Sequence, residues 1–339
     1  MISGVPQGTV LGPLLFLILL TSIDTDVDSF ISSFADDTKL QRSVKSYDDV
    51  HLLQRDLDRV YEWASTFNME FNSDKFQLLR YGANEKLKSE TSYKDPSGGV
   101  IAETSCAKDL GVIMSSDGRF TDHINLTVQK ASNMSGWIFR TFYTRQAKPL
   151  LTLYKALVLS KLDYCCPLWN PENSAYLCSK IENVQRSFTR KIENMRDLDY
   201  WSRLKILNLY SVQRRRERYI ILYIFKIVHN LVPNCGITFR SNPRTGIHVE
   251  VPKLDRNKSA LALRMQENAF TYVGPKLYNA IPCRIRRLYD TIDPVGTFKT
   301  QLDAFLNIVP DEPTIHGKPR RASSNSLIHQ IAYCDKQNY

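Results

Sequence analysis

The sequence predicts an α+β chain: a small antiparallel sheet with helices at the front, followed by a mostly α-helical body. Three observations predict this. Phe30 to Val44 reads as two short strands joined through Asp36 and Asp37. Apolar residues recur at three- and four-residue steps from Asp48 to Phe67, and again from Asp122 to about Val232, which is the spacing of amphipathic helices. Finally, the 339 residues are 43% hydrophobic and 24% charged, ordinary for a globular chain of about two domains.

The formal net charge is +10, so an acidic partner fits, nucleic acid being the commonest. The seven cysteines are an odd number, Cys165 and Cys166 are adjacent, and no CxxC occurs. No zinc knuckle is seen and no histidine lies at zinc-finger spacing, so a reducing intracellular compartment, cytoplasmic or nuclear, fits better than a disulfide framework.

Gly4, Gly8 and Gly12 with Pro6 and Pro13 make a turn-rich opening. Glycine there lets backbone approach a ligand closely. A buried helix is expected from about Leu14 to Ile23. The apolar run Val10 to Leu20 is about half of the roughly 20 residues a membrane span needs. No Lys or Arg precedes it and no small-x-small cleavage site follows, so neither a signal peptide nor a transmembrane segment is expected.

Asp36 and Asp37 then occupy a two-residue connection between strands, which is hairpin spacing. At such a tip the two carboxylates repel each other unless a cation is shared. Paired carboxylates with open coordination positions suit two-metal phosphoryl transfer; the plain alternative is a solvated Asp-Asp turn. Phe30 to Ala35 carries no Lys or Pro to discourage pairing, so self-association is expected if it forms an exposed strand edge.

Val50, Leu53, Leu57, Val60, Ala64 and Phe67 form the stripe of the next helix, with Asp48 or Asp49 at its start. Lys86 to Val100 is polar, with Pro96 and Gly98-Gly99, and reads as a loop or hairpin. Beyond Asp122, one stripe runs through Ile124, Val128, Ala131, Met134, Ile138 and Phe142, another through Ile181, Val184, Phe188, Ile192 and Met195. Arg214, Arg215, Arg216 and Arg218, with Arg186, Arg190 and Lys191, are the best candidates for contact with a phosphate backbone; a solvated helix face is the alternative. Gly236 to Asn257 has no long apolar run and reads as an irregular linker. A last helix spans Val295 to Leu306, and from Asp311 the polar tail is expected to be disordered.

SGVPQGTVLGPLLF followed closely by FADDTKL resembles two consecutive blocks of the reverse transcriptases of non-LTR (LINE, jockey-like) retrotransposons. The resemblance implies that Pro6, Gln7 and Gly8 lie near template and incoming nucleotide, and that FADD is the hairpin of a polymerase palm. Asp36 is then a metal ligand with Asp37 beside it. WASTFNMEFNSDKFQLLRYG resembles the fourth palm motif, which places Lys75 near the pyrophosphate leaving group, where its charge would lower the barrier; a solvated strand-edge lysine is the alternative. AKDLGVIMSSDGRF resembles the block in which Asp109, Leu110 and Gly111 begin a strand that grips the primer end. Leu-Asp-Tyr at 162–164, Leu-Trp-Asn-Pro at 168–171, Val-Gln-Arg at 184–186 and a degraded terminal block at Tyr278 to Pro282 resemble the region after the palm.

The resemblance runs from Ser3 to Leu306. It implies a partial palm over 1–121, a helical thumb-like domain over 122–235, a helical extension over 236–310, and the tail over 311–339. It further implies Mg²⁺ or Mn²⁺, an RNA template, a DNA primer and deoxynucleotides. The family's fingers, and the first catalytic Asp that bridges both metals, have no counterpart in these 339 residues. The strand that carries that Asp is then missing too, so the resemblance implies that Phe30 to Ala35 forms an exposed edge. The expected chain is therefore the C-terminal portion of an RNA-directed DNA polymerase, inactive alone. Two other readings stay open: a nucleic-acid-binding module without catalysis, and a basic helical interaction domain.

Overall fold

In the computed structural model the chain divides after Ala107 into two compact units. The structure describes residues 8–72, 75–82, 84–171, 174–242, 246–287, 291–313 and 325–337.

The first unit opens with α1 (Leu11–Leu20), whose Gly12 N–H donates to Thr9 Oγ1 at 3.1 Å. The helix stands about where it is expected, but it is not buried. Leu14, Leu15, Leu17 and Ile18 are about half exposed or more, and Gly12 is the buried residue of the helix. The reason is that the unit's core gathers elsewhere, around Val50, Leu57 and Tyr93 with Leu40, Val44, Phe76, Leu78 and Ile101 packed against them. The hairpin follows as β1 (Phe30–Phe34) and β2 (Asp37–Gln41), paired antiparallel.

Next comes α2 (Tyr47–Thr66), opened by a capping box in which Ser46 Oγ accepts from Asp49 N–H and Asp49 Oδ2 accepts from Ser46 N–H. This reciprocal cap satisfies two donors that a helix start otherwise leaves unpaired. Val50, Leu57, Val60 and Ala64 are buried along one face, as their spacing predicts. The polar stretch after residue 85 is partly helical, as α3 (Glu85–Glu90). It then closes through the bridge Lys94↔Val100 around Asp95 to Gly99, which is the expected hairpin-like turn.

β3 (Cys106–Asp109) and β4 (Val112–Ser115) form a second two-stranded sheet. Leu110 and Gly111, at φ +44° and +86°, are its two-residue turn; positive φ at both turn positions matches strand twist. They therefore separate two strands rather than begin one.

The second unit is helical, with α4 (Thr121–Thr141) and α5 (Ala147–Leu153), which passes through a π-helical segment (Tyr154–Leu159) into α6 (Ser160–Asp163). Then come α7 (Ala175–Thr189), α8 (Tyr200–Leu207) and α9 (Val212–Val228). Ile124, Ala131 and Ile138 of α4 meet Tyr154, Val158, Ile181 and Phe188 in one core, which also holds Val112 of β4. Ile113 N–H donates to His123 Nδ1 at 3.3 Å. These bonds and contacts tie β4 to α4, which puts the division after residue 107 rather than 121.

A second core surrounds the later half of α9. Ile220, Ile221, Ile224 and Phe225 pack there with Ile247 and Val249. The latter belong to a hairpin, β5 (Phe239–Asn242) and β6 (Gly246–Val249), where an irregular linker is expected. Two buried residues alternating around His248 are too short a signal to stand out in the sequence. Gly246 has φ +71°, and a Cβ there would lie 2.8 Å from the Cys283 carbonyl oxygen, so this corner admits glycine alone.

α10 (Ala260–Asn268), α11 (Phe270–Ala280), α12 (Pro294–Ile308) and α13 (Leu327–Gln337) complete the unit. Asn279 of the terminal block accepts from Val249 N–H at 3.0 Å and donates to Val249 O at 2.6 Å, pairing a side-chain amide with β6. Of the tail expected to be disordered, residues 314–324 and 338–339 lie outside the described residues, whereas Leu327 is fully buried and opens α13. Asp311 accepts from the Ser211 N–H and hydroxyl at 2.6 and 2.7 Å. Among the described residues no helix is long and apolar enough to cross a membrane, and there is no disulfide.

Candidate functional site

The carboxylate pair sits at the tip of the β1–β2 hairpin. The register pairs Phe34 with Asp37, Ser33 with Thr38 and Ile31 with Leu40. The two-residue turn is therefore Ala35-Asp36, one position earlier than the sequence reading puts it, and Asp37 is the first residue of β2. Ala35 takes φ +53°, a left-handed conformation that costs a non-glycine residue about 1–2 kcal/mol. Directly opposed residues share a face, so Asp37 lies on the face that carries Phe30 and Phe34, each 67% exposed. The opposite face sends Leu40 against the core of the unit.

The feet of this hairpin are fixed by one buried acid on α2. Asp56 Oδ2 accepts from the Ser29 N–H and hydroxyl, just before β1, at 2.8 and 2.6 Å. Arg42, just after β2, reaches the same oxygen at 3.5 Å. Burial pushes the Asp56 carboxyl up, but the hydrogen bonds from Ser29 and Arg55 outweigh it, and its pKa is lowered overall. Its charge is thus kept at neutral pH, at the base of a loop that must present two more.

Asp36 and Asp37 are exposed, and neither carboxylate has a hydrogen-bond or ion-pair partner among the described residues. Nor do those residues include a group of three acidic, histidine or cysteine side chains placed to share an ion. Two adjacent carboxylates open to water fit the protein's share of a magnesium shell, which keeps several waters and draws other oxygens from substrate phosphates.

Of the other expected site residues, Pro6 and Gln7 lie outside the described residues. Gly8 is exposed, at φ +79° with open space around it. Lys75 is exposed, while its neighbour Phe76 is drawn inward, 5.4 Å from the Tyr61 ring and 5.7 Å from Phe71. The Leu110–Gly111 turn is held from α6: Tyr164 donates its hydroxyl to Leu110 O at 2.7 Å. Gly111, His123, Lys130, Lys161 and Tyr164 line a shallow open cleft beside that turn. Burial, with Arg216 and Lys130, lowers the His123 pKa, so the cleft owes its positive charge to the two lysines.

The arginines of α9 are not a phosphate-binding face. Arg214 is fully buried, paired with Glu217 and donating to Val309 O and Pro310 O. Arg216 is also buried, its guanidinium 3.9 Å from the Trp169 ring centre, donating to Asn170 Oδ1 and Trp169 O. Arg215 donates to Asp163 Oδ2 at 2.7 Å, and Arg218 makes a two-pronged pair with Asp303. α9 is packed between two cores, so charges that read as a surface run are turned inward as its ties to neighbouring elements. Asp163 and Trp169-Asn170 come from the Leu-Asp-Tyr and Leu-Trp-Asn-Pro stretches, whose visible work is to receive these arginines. Arg186, Arg190 and Lys191 remain exposed.

Residues 2–114 match the family model described as reverse transcriptase (RNA-dependent DNA polymerase). That span contains the whole hairpin, Asp56, Lys75 and the Leu110–Gly111 turn. Over 56–61% of its length the chain is similar, at 25–26% identity, to the RNA-directed DNA polymerases of retrotransposons. It is 25% identical over 201 residues to a probable RNA-directed DNA polymerase from transposon X-element of Drosophila melanogaster, covering 56% of this chain and 22% of that protein. It is 26% identical over 224 residues to the RNA-directed DNA polymerase from mobile element jockey of the same species, covering 61% and 24%. The jockey polymerase of Drosophila funebris gives 26% over 221 residues. The matched part is thus about a quarter of each relative's length. No solved structure matches the chain.

Within the span that matches the family model, the sequence reading missed Asp56, because an acid on an amphipathic helix looks like its solvated face. Its one available signal is spacing: Asp56 adjoins Leu57 on the buried side of α2. Lys130 and Lys161 were missed for a similar reason, being single lysines on helices far apart in sequence.

Proposed function

We propose that this chain carries the metal-binding hairpin and primer-gripping region of an RNA-directed DNA polymerase of a LINE-type retrotransposon. The complete reaction adds deoxynucleotides to a primer 3′ end on an RNA template. The observation that carries this is the Asp36–Asp37 pair, presented open to solvent on a hairpin that Asp56 clamps at both feet, inside the family match. Asp36 and Asp37 hold Mg²⁺ or Mn²⁺. When bound, the ions stabilise charge on the reacting phosphoryl group and activate the attacking oxygen.

Lys75, by its exposure and motif position, stands near the leaving pyrophosphate, and Pro6, Gln7 and Gly8 near template and nucleotide. The Leu110–Gly111 turn meets the primer end, with Lys130 and Lys161 beside it supplying charge for its backbone phosphates. Positioning and electrostatics supply most of phosphoryl-transfer catalysis. The resemblance implies a further carboxylate that would hold the ions with this pair, and no residue here is matched to it. The same reading therefore holds that these 339 residues do not extend a primer by themselves.

Manganese binding followed by water-proton relaxation tests the metal role, with primer extension on an RNA template run alongside. Binding is expected to be weak in the wild type and lost in Asp36→Asn, with no extension from the chain alone. Binding unchanged in the Asp36→Asn, Asp37→Asn double variant would remove the pair from metal binding. Extension that Asp36→Asn abolishes would show that the site is completed within this chain.

A further inference from the structure

A buried cation in the second unit has no ion-pair partner among the described residues. Arg203, in the middle of α8, is 3% exposed, and its Nε has no hydrogen-bond partner. No carboxylate among the described residues lies within ion-pair distance of its guanidinium, which sits 5.7 Å from the Tyr200 ring centre. Arg186 reaches the same ring, at 4.8 Å. Burial lowers the Arg203 pKa; the positive charges of Arg190 and Arg186 lower it further, against the opposing influence of Tyr200 and Asp199. Arg186 and Arg203 thus share one tyrosine ring, and Arg190, one helical turn beyond Arg186, adds its charge to the same neighbourhood.

The nearby acids are committed elsewhere. Asp199 caps α8, accepting from the Trp201 and Ser202 N–H groups and from the Ser202 hydroxyl. Glu182 accepts from the Tyr200 hydroxyl and from the N–H groups of Val212 and Gln213. The C-terminal end of α7 draws cations through its dipole, which accounts for Arg186 and Arg190 but not for Arg203. Contact with the ring returns only part of what desolvating a guanidinium costs. An oxyanion would supply the rest, since guanidinium groups match a phosphate's oxygens in pairs.

We propose that Arg203 and Arg186, which meet on the Tyr200 ring, bind one phosphate of a nucleic-acid backbone together with Arg190. Arg203 forms the floor, and the exposed Arg186 and Arg190, with Lys191 next in sequence, form an open rim that a polymer can reach. The choice of a nucleic acid over a small phosphate rests on the polymerase reading above.

The test uses the full chain, inorganic phosphate and a short labelled single-stranded RNA. Exchanging chloride for phosphate at equal ionic strength is expected to raise the wild-type unfolding midpoint by about 2–4 °C near saturation. Arg203→Met should lose that response and unfold in chloride no earlier than wild type, because it removes an uncompensated buried charge. Arg186→Gln with Arg190→Gln, on the exposed rim, should also lose it. That pair should flatten the slope of log RNA affinity against log salt by about one per lost phosphate contact.

An Arg203→Met chain that is less stable yet keeps the phosphate response makes the arginine structural and overturns the site. So does an unaltered RNA slope in the rim variant that has lost the phosphate response, which means the site takes small phosphates only. Wild-type chain that binds no RNA in a salt-dependent way fails at the polymerase reading itself, and the proposal falls with it.

Discussion

One oxygen of Asp56 accepts both the backbone N–H and the hydroxyl of Ser29, at 2.8 and 2.6 Å, 27 residues away in the chain. That bond ties the start of the Asp36–Asp37 hairpin to the middle of α2. Both partners are buried, so neither can turn to water if the other is removed.

Asp56→Ala is therefore expected to cost about 1.5–3 kcal/mol of local stability, the range for hydrogen bonds to a charged group. Amide hydrogen exchange checks it: protection should fall over Phe30–Gln41 and stay unchanged in α4 and α9. The pH dependence has a definite sign. The folded-state pKa of Asp56 lies below its ordinary 3.8, so this contribution is full above that value and disappears as pH falls through the lower, folded-state value. Hairpin protection that is equal in the variant and the wild type would mean the clamp is not what holds the tip.

The hairpin was legible because its signals are local: strand residues on both sides of a short polar tip. What was not legible was register, which turns on one residue and put Asp37 in the strand. Burial of charge was less legible still. Arg214 and Arg216 sit in a run of arginines that looks solvated, yet α9 lies between two cores that only the folded chain assembles. Conversely, α1 is apolar enough to suggest a core helix, but hydrophobicity gives no partner by itself. The hairpin at Phe239–Val249 escaped because its second strand buries just two apolar side chains, those of Ile247 and Val249, beside a buried glycine.

Removing Arg214 leaves Glu217 buried without its cation, although Leu327 N–H still donates to that carboxylate at 3.1 Å. Arg214→Ala should cost about 3–5 kcal/mol, as breaking one side of a buried ion pair does. Chemical unfolding of the whole chain measures it. Stability equal to wild type would place that side chain outside the core.

Glu182 gives a second pH effect, of opposite sign. Burial raises its pKa from 4.5 to about 7, against the hydrogen bonds from Tyr200, Val212 and Gln213 that favour the charged form. With the folded-state pKa above the unfolded one, the folded chain holds the extra proton, so stability falls as pH rises from 4.5 to about 7. The slope from this one group is at most about 1.4 kcal/mol per pH unit. Glu182→Gln should abolish that component of the midpoint's pH dependence. If the two profiles run parallel across the window, the carboxylate titrates elsewhere.

The exposed apolar surface of the first unit leads to a prediction about solution behaviour. Leu14, Leu15, Leu17 and Ile18 on α1, with Phe30 and Phe34 on the open face of the hairpin, are each about half exposed or more. Apolar clusters of this kind, joined to a β1 strand that pairs on one side only among the described residues, favour association. The full chain should therefore self-associate in a concentration-dependent way, and Leu17→Lys with Phe34→Lys should reduce it. The second unit has its own two cores, so residues 108–339 should sediment as a folded monomer. A shorter form beginning at Asp122 would lose Val112, which is buried in the α4 core, and the contact of Ile113 with His123. It should therefore unfold earlier than 108–339. Sedimentation velocity and thermal unfolding of the three forms separate the possibilities. A monomeric full chain beside an associating 108–339 would overturn the assignment of the association to the exposed surface of the first unit.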